Sequence, residues 1–213
     1  MYDGLQVKIC GLTRESDIDL ALELGADFLG FIVYPKSPRG LQLDRAVELS
    51  KRVPVGRRVL VDVEAPAENL ARYRDAGFDY FQIHNTSPDL TSLALASELV
   101  GADRLWAAPR HLPGQAFPSE ILSLADTVLM DTYHRDQVGG TGETGDWAGF
   151  AQLKQGYPDT NWVLAGGLGP GNVAAAIAMS GTDAVDVNSG VESEPGIKNP
   201  EKLRELFRIL KIS

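Results

Sequence analysis

The lone cysteine and one aspartate are the residues of this sequence best suited to proton transfer. Cys10 ends the apolar run VKIC, and Asp131 ends the run TVLMD. A thiolate can accept a proton near neutral pH, and a carboxyl group enclosed by apolar walls can donate one. The two residues therefore form a candidate base and acid. The alternative is that the cysteine is a small buried hydrophobe and the aspartate a turn cap.

Two loops with small residues predict a phosphate site. Gly166 and Gly167 follow the apolar run WVLA, and Ser189 and Gly190 follow VDVN. Small residues let backbone N–H groups approach a phosphate, and the N-terminus of a following helix adds positive potential. A tight turn alone would explain either loop, whereas two such loops at the end of the chain favour phosphate binding.

Other polar side chains are candidates for binding the rest of a substrate. Arg39 lies in the proline-bounded segment YPKSPRG, where a guanidinium could bind a carboxylate through two hydrogen bonds. Three further candidates occupy polar positions that alternate with apolar ones along predicted strands, namely Gln82, His84 and Asp186. A solvated surface side chain is the alternative for Arg39.

A glycine-rich segment, GGTGETGDW, predicts a lid loop after the sixth strand. It lacks the Lys-Ser/Thr pair of a phosphate-binding P-loop and does not follow a strand directly. The lid residues are Gly139, Gly140, Thr141 and Gly142.

The elements that must position these residues alternate regularly along the chain. Eight apolar runs are predicted as strands, at 5–10, 27–33, 57–63, 79–84, 103–108, 126–131, 161–165 and 183–188. A helical pattern follows each run, including SEILSLA before the sixth strand. Strict alternation implies a parallel sheet, and eight units predict an α/β fold, a single (β/α)8 TIM barrel, over residues 1–213. Gly-x-Asp turns recur before strands, so we expect the glycine to end the helix.

Alternation within the strands predicts a polar barrel interior. Lys8 and Cys10 share one face of the first strand, while Val7 and Ile9 share the other. Polar groups inside a barrel are costly unless they are paired or used in chemistry. The carboxyl ends of the strands form the catalytic face of such barrels. We expect Lys8 to pair with Asp186.

Composition argues against several other classes of protein. The chain has 20 Lys+Arg and 29 Asp+Glu, and a net charge of −9 is unfavourable for binding nucleic acid or an anionic membrane. Neither a signal-peptide pattern nor a long apolar stretch is visible, so we expect a cytoplasmic protein. One cysteine and three histidines show no zinc-ligand spacing. We expect neither a metal nor a cofactor.

These motifs resemble the phosphoribosylanthranilate isomerase family of tryptophan biosynthesis. The matching segments are VKICGLT, GADFLGFIVYPKSPRG, QIH, the aspartate of VLMD, GGTGETGDW, WVLAGGLGPGNV and VDVNSGVESEPGIKNPEKL. The resemblance implies a small barrel without metal or cofactor, with Cys10 as base and Asp131 as acid. It also implies that Arg39 binds the anthranilate carboxylate and that loops 166–167 and 189–190 bind phosphate. The segment 90–122 matches poorly.

The resemblance implies an Amadori rearrangement of N-(5-phosphoribosyl)anthranilate to 1-(o-carboxyphenylamino)-1-deoxyribulose 5-phosphate. The expected partner is this small molecule, with no nucleic acid and no membrane, and the expected assembly is a monomer or homodimer. Two alternatives remain. One is a related sugar-phosphate isomerase, such as the histidine-pathway Amadori isomerase, which usually has an aspartate where Cys10 stands. The other is a non-catalytic barrel that binds a phosphorylated metabolite.

Overall fold

Eight parallel strands close into a barrel in the computed structural model, which describes residues 4–111, 115–132 and 145–212. Each strand pairs with the next along the chain, and the eighth pairs with the first, so the predicted barrel is confirmed. The strands are β1 (Gln6–Ile9), β2 (Phe28–Ile32), β3 (Arg58–Val63), β4 (Tyr80–Asn85), β5 (Leu105–Pro109), β6 (Thr127–Asp131), β7 (Asn161–Ala165) and β8 (Ala184–Val187).

Seven α-helices of the described residues follow the strands. They are α1 (Glu15–Leu24), α2 (Leu43–Ser50), α3 (Ala67–Arg74), α4 (Thr91–Val100), α5 (Trp147–Gly156), α6 (Val173–Ser180) and α7 (Pro200–Ile212). None of the described helices is long and apolar enough to cross a membrane.

The prediction of an α-helix over 119–125 is wrong. A 3₁₀ helix, Ser119–Ser123, stands there instead, with Leu124 N–H donating to the carbonyl of Ile121 at 2.9 Å. Pro118 precedes this turn, and β6 begins at Thr127, so the segment between them is short. Ile121 is the only buried residue of the 3₁₀ helix, which therefore has too little apolar surface to hold a longer helix.

The turns between helices and strands explain part of the repeat. Gly25 ends α1 with a left-handed φ of 98°, which favours glycine. The carboxylate of Asp27 accepts a hydrogen bond from the backbone N–H of Val7 at 2.8 Å. Asp79 accepts one from Arg58 N–H at 2.9 Å in the same way. Each aspartate thus ties the start of its strand to the start of the preceding strand.

The strands bury two separate apolar layers. Residues such as Val7, Ile9 and Phe81 face the helices, while Val61 and Leu129 face the barrel interior. The predicted alternation is therefore confirmed in β1, β4 and β6.

Three aromatic rings fill the amino-terminal half of the barrel. The ring of Phe28 lies 5.0 Å from that of Trp106 and 5.6 Å from that of Tyr80, measured between centroids. Edge-to-face packing of this kind fills the interior mainly with aromatic carbon.

A two-stranded antiparallel hairpin follows β8. It consists of β9 (Glu192–Glu194) and β10 (Ile197–Lys198), which lie before α7. Thr13 donates its hydroxyl to the carbonyl of Gly196 at 2.5 Å, and Asp17 accepts from Lys198 N–H at 3.0 Å. These bonds hold the hairpin against the β1–α1 loop and the first turn of α1.

Candidate active site

Cys10 lies one residue beyond β1, on the interior face of the barrel, and is 3% exposed. Its N–H donates to the carbonyl of Val187 in β8 at 2.9 Å, which fixes the backbone. On the other side, a Cβ at Gly30 would lie 2.8 Å from the Cys10 sulfur and 3.1 Å from Lys8 Nζ. The missing side chain in β2 therefore gives the thiol and the ammonium group the space they occupy.

Lys8 and Asp186 form a buried ion pair in the barrel. The Nζ–Oδ1 distance is 2.9 Å, and the two residues stand opposite each other in the β1–β8 register. This pairing confirms the expected partner of Lys8. Burial alone would lower the pKa of Lys8, but the charges of Asp186 and Cys10 outweigh it and raise the pKa. Lys8 is therefore a permanent cation beside the cysteine.

Burial raises the pKa of the Cys10 thiol, and the opposing effect of Lys8 is smaller. The thiol is thus protonated at neutral pH in the free protein. A thiolate already formed near neutrality, as the sequence suggested, is not what this environment favours.

Gln82 and His84 form a hydrogen-bonded pair on the interior face of β4. The amide nitrogen Nε2 of Gln82 lies 2.8 Å from His84 Nε2. Burial lowers the pKa of His84, so the ring is neutral at pH 7. With the amide oriented in this way, the ring proton is assigned to Nδ1. Oε1 of Gln82 is buried and has no hydrogen-bond partner among the described residues.

Asp131 is the last residue of β6 and is exposed. The expectation that apolar walls enclose its carboxyl group is wrong. Its register partner is Ala165, the last residue of β7, so the two strands end together at the rim. A side chain at that level projects beyond the barrel wall. The carboxylate is therefore exposed at the barrel mouth.

The two predicted phosphate loops lie against each other. Gly190 packs on the backbone of the β7–α6 loop so closely that a Cβ there would overlap the carbonyl oxygen of Leu168. Gly166 and Gly167 have positive φ angles of 106° and 61°. The backbone chains of the loops after β7 and β8 thus form one continuous surface at the barrel mouth.

Asn172, which precedes α6, braces the first of these loops. Its Oδ1 accepts from Gly169 N–H at 2.8 Å, and its Nδ2 donates to the carbonyl of Gly167 at 3.0 Å. Sequence reasoning missed this residue, although an asparagine just before a predicted helix is a recognisable signal. The arrangement can hold backbone N–H groups in place for an anion.

Arg39 reaches the mouth beside Cys10. Its Cδ would lie 2.8 Å from a Cβ at Gly11, which has a φ of +71°. The guanidinium is not the solvated surface group that was the alternative for Arg39, because it pairs with Glu192 of β9. Sequence reasoning also missed Lys198, which binds the same carboxylate. The signal was available, because Glu192 and Lys198 flank a Pro-Gly pair typical of a hairpin turn.

The predicted lid residues, Gly139, Gly140, Thr141 and Gly142, lie outside the described residues. Within the described ranges, no three His, Cys, Asp or Glu side chains cluster as they would to hold a metal ion.

The fold and the site together define a class of protein, a (β/α)8-barrel protein with a buried cysteine, buried polar side chains and small-residue loops at its carboxyl face. The family model described as N-(5′-phosphoribosyl)anthranilate (PRA) isomerase matches residues 7–208. The N-(5′-phosphoribosyl)anthranilate isomerase of Syntrophus aciditrophicus is 39% identical over 205 residues, which cover 95% of this chain and 85% of that protein. The enzyme of a Synechococcus strain is 36% identical, with 97% and 96% covered.

Solved structures agree with the sequence comparison. The phosphoribosyl anthranilate isomerase of Thermus thermophilus has a TM-score of 0.80 and 31% identity, covering 97% of this chain and 98% of that one. A second isomerase, solved with reduced 1-(o-carboxyphenylamino)-1-deoxyribulose 5-phosphate, has a TM-score of 0.73 and 29% identity, with 97% and 98% covered. The chain belongs to the N-(5′-phosphoribosyl)anthranilate isomerase family, and it is an isomerase of tryptophan biosynthesis.

Proposed function

We propose that this chain converts N-(5-phosphoribosyl)anthranilate to 1-(o-carboxyphenylamino)-1-deoxyribulose 5-phosphate, with Asp131 as general acid and Cys10 as general base. The observation that carries the proposal is the position of Cys10. It is the one thiol of the chain, and it lies inside the barrel mouth next to a buried cation. If Cys10 served packing alone, a small apolar residue would serve better at this position.

The first step opens the sugar ring. Asp131 donates a proton to the furanose ring oxygen, the C1–O bond breaks, and its electron pair stays on that oxygen. The anilino nitrogen supplies its lone pair to form a C1=N⁺ iminium. The rim position of Asp131 lets the carboxyl group meet the substrate and exchange its proton with solvent.

The second step moves a proton from sugar C2. The Cys10 thiol releases its proton to solvent once the iminium has formed. The resulting thiolate takes the C2 proton, and the electrons of the C2–H bond form the C1=C2 bond of an enolamine as the iminium is neutralised. Protonation at C1 and loss of the hydroxyl proton at C2 then give the ketone. Lys8 stabilises the thiolate while it exists, because it lies beside the sulfur as a permanent cation.

The remaining interior groups bind the sugar and its substituents. The unpartnered Oε1 of Gln82 can accept a hydrogen bond from a sugar hydroxyl, and the Nδ1–H of neutral His84 can donate one. Asp186 is a further acceptor beside them. Arg39 binds the anthranilate carboxylate.

The phosphate binds to the loops after β7 and β8, at Gly166, Gly167, Ser189 and Gly190. Because the phosphate is remote from C1 and C2, its binding energy can position the reacting carbons without touching them. The glycines suit this role because Gly190 already lies in backbone contact with the other loop.

A turnover assay tests the proposal. The preceding transferase generates the labile substrate in place from anthranilate and phosphoribosyl pyrophosphate, and product formation is followed for wild type, Cys10→Ser and Asp131→Asn. Asp126→Asn is the matched control, because it makes the same change at the exposed residue before the other end of β6. We expect a loss of at least about 10²-fold in each site variant and none in the control.

Full activity in either site variant would remove that residue from the mechanism. Wild-type protein that binds the ligand without turnover would favour the non-catalytic alternative.

We infer that the whole chain, residues 1–213, works as one barrel domain in the cytoplasm, as a monomer or homodimer. The isomerase of Thermotoga maritima is described as dimeric, with monomers generated from it.

A further inference from the structure

A carboxylate with two cationic partners lies at the mouth of the barrel. Glu192 accepts hydrogen bonds from Arg39 Nε at 2.9 and 3.1 Å and from Arg39 Nη2 at 2.6 Å. Its Oε1 also accepts from Lys198 Nζ at 2.9 Å. The side chain of Glu192 is 5% exposed and that of Lys198 is fully buried. Such a buried network is costly to build unless its geometry has a use.

Lys198 fixes this carboxylate from below. Its Nζ also donates to the side-chain oxygen of Asn188 at 2.9 Å and to the Asn188 carbonyl at 3.2 Å. The N–H of Gly196 donates to Glu192 Oε1 at 3.1 Å. The hairpin, the end of β8 and the carboxylate are thereby joined into one rigid unit.

The guanidinium of Arg39 keeps one edge free of Glu192. A guanidinium has five N–H donors in a planar fork, and it can take one carboxylate along the Nε–Nη2 edge and another along the Nη1–Nη2 edge. Glu192 contacts Nε and Nη2, which is the first of these edges. The second edge can therefore bind another carboxylate while the Glu192 pair stays intact.

The charges of this cluster also suit an anion. Arg39 and Lys198 carry two positive charges against the single negative charge of Glu192, so the cluster has a net charge of +1. The two cations hold the pKa of Glu192 below its usual value despite its burial. A substrate carboxylate thus meets an attractive site although it approaches another carboxylate.

We propose that Glu192 is a positioning residue, which holds the guanidinium of Arg39 so that its Nη1–Nη2 edge receives the aryl carboxylate of the substrate. The inference rests on the proposed function, in which Arg39 binds this carboxylate. Glu192 does not touch the substrate and acts through Arg39 alone. Its contribution should therefore appear as selectivity for a carboxylated ligand and not as a general loss of binding.

Two stable ligands test this role. Reductive amination of ribose 5-phosphate with anthranilate gives a carboxylated ligand, and the same reaction with aniline gives a ligand without the carboxylate. Dissociation constants for both are measured by calorimetry with wild type, Glu192→Gln and Arg39→Met. The readout is the ratio of the two dissociation constants. Glu194→Gln is the matched control, because it makes the same change at an exposed residue of the same strand.

We expect wild type to prefer the carboxylated ligand by roughly tenfold or more, the range of a charge-assisted pair. Glu192→Gln should reduce this preference at least about fivefold and leave the aniline ligand within about twofold of wild type, and Arg39→Met should abolish the preference. The control should keep it. In the Arg39→Met background, Glu192→Gln should cause no further loss of preference.

The two failures are distinguishable. A wild-type preference near one would overturn the carboxylate role of Arg39, which belongs to the proposed function. A large wild-type preference that Glu192→Gln leaves unchanged would overturn the positioning role alone, as would equal weakening of both ligands. If Glu192→Gln does not fold, Glu192→Asp replaces it, since this variant keeps the charge but withdraws it by one methylene. Its preference should also fall.

Discussion

Replacing Gly30 by alanine should displace the proposed base, Cys10, without removing its thiol. Gly30 lies in β2, on the interior face between Lys8 and Cys10. A Cβ there would lie 2.8 Å from the Cys10 sulfur and 3.1 Å from both Cε and Nζ of Lys8. The contact with sulfur is shorter than nonbonded atoms tolerate, so the cysteine must move, and the two tight contacts with Lys8 require the end of its side chain to shift slightly.

The size of the effect follows from these distances. Nonbonded heavy atoms prefer about 3.5–4.0 Å, so the contact with sulfur must open by roughly 1 Å. Overpacking of this kind costs about 1–3 kcal/mol, which lowers the melting temperature of a chain this long by roughly 2–12 °C. A misplacement of ~1 Å at a reacting group lowers the rate by ~10²-fold. The loss should appear mainly in kcat, because the nearest atoms to a Cβ at Gly30 belong to Cys10 and Lys8 and not to the phosphate loops.

Thermal unfolding and turnover measured on the same preparation check both expectations. Gly156→Ala is the control, because a Cβ there would meet no atom within 4 Å, and it should leave both quantities nearly unchanged. In a Cys10→Ala background, Gly30→Ala should cost less stability, since the closest overlap is gone. A Gly30→Ala protein with wild-type melting temperature and turnover would refute the close packing at the base.

Two further substitutions and one labelling experiment have defined outcomes. Lys8→Met strands the buried charge of Asp186 and should lower the free energy of unfolding in urea by ~3–5 kcal/mol, whereas replacing both residues with apolar ones should restore much of it. Because burial raises the pKa of Cys10, iodoacetamide should alkylate this single thiol with a pH midpoint above that of free cysteine, and a midpoint at or below it would contradict the assignment. Asn172→Ala removes both bonds that brace the β7–α6 loop and should weaken binding of the phosphorylated ligands by roughly tenfold with little change in melting temperature; unaltered affinity would exclude this loop.

The barrel could be predicted because its signals are periodic. Eight alternations of strand and helix admit few topologies, and no predicted strand end differs from the observed one by more than two residues. The misses are short and aperiodic. The 3₁₀ helix Ser119–Ser123 buries a single side chain, and the hairpin Glu192–Lys198 has strands of three and two residues. Elements of this length carry no periodicity that could distinguish them from a loop or a helix.

The site could be predicted only where the alternation of side chains along a strand determines which residues face the barrel interior. Alternation placed Lys8, Cys10 and Gln82 inside the barrel, and the structure agrees. The partner of Arg39 was not predictable in the same way, because Glu192 is 153 residues away and neither residue lies in the barrel strands. Pairing of that kind depends on how loops meet above the barrel, which no local pattern encodes.

The raised pKa of Cys10 and its proposed role as a base are consistent once the order of steps is considered. Burial keeps the thiol protonated in the free protein, so a thiolate is costly before the substrate reacts. Ring opening places a positive charge on the nitrogen attached to C1, two bonds from C2, the carbon whose proton is removed. That charge, together with Lys8, stabilises the thiolate at the moment it is needed. A base with a raised pKa is also the stronger proton acceptor. The acid must therefore act before the base, and an Asp131→Asn protein should leave the C2 proton unexchanged even with Cys10 intact.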